Sequence, residues 1–194
     1  MSLPTVLTCL RILLTFVTMA LLFLPGGAAK VAAFATFLIA SATDWLDGYL
    51  ARRWRQTSAL GALLDPIADK VLVLGMFLAF IQLDLVPGWM VLVIAFREFL
   101  ITGVRLFAAH RHVVLPAASE GKHKTVSQVV TLIVLFLVLI IQESVGPGAL
   151  SPIARAMMDG LRVGCLWVTM LLTLVSGTSF FLRHRTVLKD AISR

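Results

Sequence analysis

The sequence predicts an all-α fold: a polytopic membrane protein built as a six-transmembrane-helix bundle, with both termini cytoplasmic. Three observations lead there. Of 194 residues, 59% are hydrophobic and 14% charged, with a mean hydropathy of +0.97, whereas a soluble domain is about half apolar and about a quarter charged. The apolar residues gather into six runs, at 3–24, 31–50, 60–83, 88–109, 125–141 and 163–182, each near the ~20 residues that a membrane span takes. The basic residues gather at one end of those runs.

In chain order, the first run carries one early positive charge, Arg11, and could imitate a signal peptide. No small-residue cleavage site leads from it into a soluble segment, and further spans follow at once, so a retained helix is expected. Pro25-Gly26-Gly27 closes it, as proline and glycine punctuate helices. The second run ends at a cationic break, 52–58, and the third has Pro66 near its start, where proline sets a helix start or a kink. Pro87 opens the fourth run and Pro147 lies in the break at 146–160 before the sixth. Gly160 and Gly164 form a small-xxx-small pair of the kind that packs helices together. No internal repeat or low-complexity tract interrupts a single domain over 1–194.

Six spans leave both ends on one side. That side holds Arg11, Arg52, Arg53, Arg55, Arg105, Arg111, Lys122, Lys124, Arg183, Arg185, Lys189 and Arg194, against Lys30, Arg155 and Arg162 opposite. The positive-inside rule makes it the cytoplasmic side. The net charge of +7 and pI near 10.3 do not indicate nucleic acid, because the cations flank apolar runs and form no basic stripe. They suit a membrane protein that holds anionic lipid or phosphate. Cys9 and Cys165 each lie in an apolar run and are expected to be small buried hydrophobes, with no disulfide frame or zinc spacing. His110, His112, His123 and His184 are expected at the membrane interface.

Asp44, Asp47, Asp65, Asp69, Lys70, Arg97 and Glu98 lie in or near the apolar runs, where a charge costs on the order of 3 kcal/mol and marks function. Asp44 and Asp47 stand at i and i+3, with Gly48 and Ala51 on the same stripe; Gly61, Asp65 and Asp69 stand at i, i+4 and i+8. Two helices thus each offer a carboxylate pair beside a small residue that permits close approach. Four such carboxylates cannot all stay ionised in a low dielectric without cations. Mg²⁺ or Mn²⁺, two ions of the hard oxygen-seeking kind, would neutralise them and leave positions for phosphate oxygens. Salt bridges to Arg52, Arg53 and Lys70 are the plainer explanation of one aspartate, but not of four at these spacings. An acidic pore for ion transport would explain buried carboxylates without requiring the glycine and alanine positions.

The full pattern, D-x2-D-G-x2-A-R-x8-G-x3-D-x3-D, is present at Asp44, Asp47, Gly48, Ala51, Arg52, Gly61, Asp65 and Asp69. It resembles the signature of the CDP-alcohol phosphatidyltransferases at every fixed position. The resemblance implies that Asp44, Asp47, Asp65 and Asp69 hold metal, that Asp69 is also the general base, and that Gly48, Ala51, Arg52 and Gly61 shape the CDP site. It implies CDP-diacylglycerol as donor, CMP as leaving group, and a homodimer in the bacterial cytoplasmic membrane with its active site toward the cytoplasm.

The cations Arg97, Arg105, Lys122 and Lys124 exceed what CDP needs beside two metal ions, and point to an acceptor that itself carries phosphate. Arg97-Glu98 with Arg105, and Gly121-Lys122-x-Lys124-Thr125-x2-Gln128, are similar to the family branch of bacterial phosphatidylglycerophosphate synthases, whose acceptor is sn-glycerol 3-phosphate. Pro4, Leu7, Thr8 and Arg11 are similar to that branch's N-terminal motif, which adds Thr8 to the CDP-contacting set; Thr5 stands where the motif has asparagine. A relative that uses phosphatidylglycerol as acceptor, a CDP-alcohol-type cardiolipin synthase, is the nearest alternative.

Overall fold

Every apolar run coincides with a helix, the first and third running one residue past its end. The computed structural model describes the backbone of residues 3–54, 59–110, 120–146 and 149–193, and side chains over 6–43, 67–109, 124–146 and 149–185. The helices are α1 (Leu3–Phe23), α2 (Gly27–Trp54), α3 (Ala59–Gln82), α4 (Gly88–His110), α5 (Glu120–Val145) and α6 (Pro152–Ser193). Three contain stretches long and apolar enough to cross a membrane, Val6–Phe23, Lys124–Val145 and Pro152–Arg185, and α2 contains a shorter one, Gly27–Thr43. α3 and α4 carry Asp69, Lys70, Arg97, Glu98 and Arg105 within them.

Contacts run in a closed ring, α1 to α2 to α5 to α6 to α4 to α3 and back to α1, with α3 also touching α5 and α2. Phe136 of α5 marks the centre: the rings of Phe34 and Phe37 from α2 lie 5.4 and 5.2 Å away, and Phe80 of α3 meets it edge-on at 5.0 Å. The outside is as apolar as the inside. Leu13, Phe16, Leu92, Phe96, Leu106 and Ile153 are exposed, while Thr8, Arg11, Thr15, Thr18, Lys30 and Thr173 are buried. Apolar exposure on this scale belongs to a protein integral to a membrane, and threonines supply ties between helices, as in Thr18 donating to Thr36 at 2.9 Å across α1 and α2.

Two outer-side cations have structural work. Lys30 is buried and its Nζ donates to the carbonyls of Leu22 (2.6 Å) and Leu24 (2.8 Å), the orphan acceptors at the end of α1. Arg162 donates to the carbonyl of Leu85 at 3.0 Å, just beyond α3. These charges sit away from the cationic end because helix C-termini hold them there.

Four expectations change. α6 begins at Pro152 rather than 163 and runs on to Ser193, because Ser151 Oγ accepts the Ala154 N–H at 3.2 Å and Pro152 occupies the first turn. Arg11, expected at the cytoplasmic rim, is 1% exposed inside the bundle. His184 is also buried: its Nδ1 lies 3.0 Å from the Phe180 carbonyl and its ring 4.7 Å from the Phe180 ring. Cys9 is exposed on the apolar outside and Cys165 is half-buried, so neither is a core residue.

Candidate active site

The backbone of α2 is continuous through Asp44, Asp47, Gly48, Ala51 and Arg52, and that of α3 through Gly61, Asp65 and Asp69. Sequence spacing is therefore helical spacing at all eight positions, so positions 44 and 47 share one backbone face of α2 and positions 65 and 69 one of α3. Side chains from 44 to 66 lie outside the described residues, as does that of Lys122; Asp69 is half-buried with Lys70 beside it. Among the described residues no group of three or more His, Cys, Asp or Glu stands together, and three members of the predicted quartet are not among them. Thr8 is fully buried on α1, one turn from Arg11.

The structure brings Arg97 and Lys124 together through a residue between them in space. Glu98 of α4 accepts from both, from Arg97 at 3.3 Å and from the Lys124 ammonium of α5. Their side chains are 11%, 13% and 10% exposed for Arg97, Glu98 and Lys124. One carboxylate against two cations leaves a net positive charge in a largely dry place, and Lys70 of α3 lies within Coulombic range of Lys124. That field favours an anion. Arg97 is held from the far side by α6, where its Nη2 donates to Ser176 Oγ at 2.7 Å. Next to Ser176, a Cβ on Gly177 would stand 3.2 Å from Arg97 Cγ, so the absent side chain lets the arginine lie against α6. Sequence reasoning missed Ser176 and Gly177; the signal was a run of small residues, Ser176-Gly177-Thr178, inside an apolar span.

Arg105 of α4 borders, with Lys70 and Thr102, a groove of about 880 Å³ whose floor is one face of α3 (Lys70, Val71, Leu74, Leu78) and whose walls are α1 and α4. The groove is apolar along most of its length, with Phe16, Phe99 and Leu106 on its walls. Among the described residues the backbones of α1 and α4 do not approach each other, which leaves the groove open on that side.

A model of the family described as CDP-alcohol phosphatidyltransferase matches residues 1–175. Among curated relatives, a Bacillus subtilis protein named CDP-diacylglycerol–glycerol-3-phosphate 3-phosphatidyltransferase is 39% identical over 84% of this chain and 78% of its own length. Proteins of the same name from Cereibacter sphaeroides and Rickettsia typhi are 31% and 33% identical, over 97% and 95% of this chain and 98% of each of theirs.

Proposed function

The chain belongs to the CDP-alcohol phosphatidyltransferase family, and from that premise we propose that it transfers the phosphatidyl group of CDP-diacylglycerol to sn-glycerol 3-phosphate, releasing CMP. The observation that carries the acceptor is the net positive Arg97–Glu98–Lys124 cluster, buried at the α4–α5–α6 junction and within reach of the Lys70 charge next to Asp69. A phosphate monoester matches that charge. The names of the relatives agree with it.

In this reading the acceptor hydroxyl attacks the phosphorus that carries diacylglycerol. A new P–O bond forms, the pyrophosphate P–O bond to CMP breaks, and the hydroxyl proton passes to Asp69. Asp44, Asp47, Asp65 and Asp69 would hold two divalent ions, Mg²⁺ or Mn²⁺, which when bound neutralise the carboxylates and the pyrophosphate and make the hydroxyl more acidic. The donor set is all oxygen, as such hard ions require. Thr8, Gly48, Ala51, Arg52 and Gly61 would receive CDP, and Lys122 would join Lys124 at the acceptor phosphate. The groove between α1, α3 and α4 offers an apolar trough for the diacylglycerol chains, with Arg105 and Lys70 near the phosphates. We further read the bundle as six spans in a bacterial cytoplasmic membrane, with the site facing the cytoplasm and two copies forming a homodimer. The exposed, open face at Gly160 and Gly164 leaves room for close packing of that kind.

Purified protein given CDP-diacylglycerol, Mg²⁺ and one acceptor at a time tests the proposal. CMP release should require glycerol 3-phosphate, and Asp69→Asn should lose about two to four orders of magnitude in turnover while its melting curve stays unchanged. Release with phosphatidylglycerol and none with glycerol 3-phosphate would overturn the acceptor. Asp69→Asn turning over like the parent would remove the base.

A further inference from the structure

Beside the Arg97–Glu98–Lys124 cluster, the α5–α6 seam carries buried polar side chains that the cluster does not engage. Among the described residues the backbones of α4 and α5 do not approach each other, and the Lys124–Glu98 ion pair links the two helices. The α5–α6 register places more polar groups next to that ion pair. Thr131 of α5 and Thr169 of α6 share a hydrogen bond of 2.8 Å, and Thr169 also donates to the Ser127 carbonyl at 3.0 Å. One turn nearer the Arg97 cluster, Gln128 on α5 and Thr173 on α6 take the corresponding places, followed by Lys124 and Ser176. Gln128 is 3% exposed and Thr173 0%, yet among the described residues Gln128 Nε2 and Thr173 Oγ1 have no hydrogen-bond partner, nor does Arg97 Nε. Buried polar groups are nearly always satisfied. Two neutral ones left open beside a cationic cluster call for a ligand that is part anion and part alcohol.

We propose that Gln128 and Thr173 bind the non-reacting hydroxyl of the acceptor and so select a phosphorylated polyol over a simple phosphorylated alcohol. The proposal rests on the acceptor reading above. With the phosphate on Arg97 and Lys124 and the attacking hydroxyl directed toward Asp69, the middle hydroxyl of glycerol 3-phosphate is left for a neutral partner. A hydroxyl offers one donor and two acceptor sites, so it can accept from the Gln128 amide and donate to the Thr173 oxygen together. A buried site built for a hydroxyl rejects an analogue without it, because its own groups are then stranded.

The test compares glycerol 3-phosphate with 3-hydroxypropyl phosphate, which lacks the middle hydroxyl, in CMP release by the full-length protein. The parent should prefer glycerol 3-phosphate by about tenfold or more in kcat/KM. Gln128→Leu and Thr173→Val should each lose most of that preference through a higher KM for glycerol 3-phosphate. Their KM for CDP-diacylglycerol and their rate with the analogue should stay near the parent's, and Thr173→Ser should keep the preference. Variants that retain the full preference, or lose activity equally with both acceptors, would overturn the inference and assign the two side chains to structure or to a buried water. A parent protein that releases no CMP with glycerol 3-phosphate would overturn the acceptor reading itself, and this inference with it.

Discussion

Glu98 holds Arg97 and Lys124 together at the cost of part of the cluster's charge. It neutralises one of two cations and bridges α4 to α5, so removing it should leave two nearly buried cations repelling each other. Breaking a buried pair costs about 3–5 kcal/mol, and the slight exposure of these side chains puts the expectation at the lower end. Glu98→Gln should therefore lower the melting temperature by several degrees. Glycerol 3-phosphate should then raise it more in the variant than in the parent, since the bound dianion restores the lost charge and binding stabilises by mass action. A variant that melts like the parent, or one that gains nothing extra from the acceptor, would show that Glu98 does not carry this balance. The Arg97–Glu98 ion pair is legible from the two residues in sequence, and the bridge from Glu98 to α5 is not. The partner that gives Glu98 its meaning, Lys124, arrives from another helix, and the one that anchors Arg97, Ser176, lies 79 residues away.

At the scale of the helix, the informative residues are those that close an end. Lys30 donates two bonds to the last carbonyls of α1 from 3% exposure, and hydrogen bonds to a charged group contribute about 1.5–3 kcal/mol each. Lys30→Met keeps the length and the apolar stem but strands both carbonyls. It should lower the melting temperature by several degrees while leaving KM for both substrates unchanged, because α1 ends far from Asp69 along the bundle. A shift in either KM would instead tie the outer end of α1 to the site. The periodicity and the breaks located all six helices, and their interiors agree with the runs that predicted them. Where they erred was the start of α6, since polar residues at 151–162 resemble a loop until Ser151-Pro152 is recognised as a cap and first turn. Burial was legible for apolar residues and not for Arg11 or His184. Their charge or polarity argued for the rim, and only the packing of neighbouring helices shows what encloses them.

For the molecule as a whole, the even number of helices and the charge distribution lead to one topology. In the six-span reading proposed above both ends lie on the same side, and the cations outside the helix-closing pair Lys30 and Arg162 concentrate there. Discounting that pair sharpens the bias, because their placement answers to helix carbonyls and not to the membrane. The same side would hold the Asp44–Asp69 motif, where in the proposed reaction CMP leaves and a charged acceptor arrives, so orientation and chemistry stand or fall together. Fusions read the orientation directly. A green fluorescent protein joined after Arg194 should fluoresce in intact bacteria, as should one joined before Met1. Alkaline phosphatase inserted at the α5–α6 connection, next to Leu150, should be active, because that enzyme matures only outside the cytoplasm. The opposite pattern would turn the cation cluster away from the cytoplasm and separate it from soluble phosphate esters. A mixed pattern, with the two termini on different sides, would mean that one of the six helices does not cross. The first to suspect would be α3 or α4, which carry Asp69, Lys70, Arg97 and Glu98 within their length.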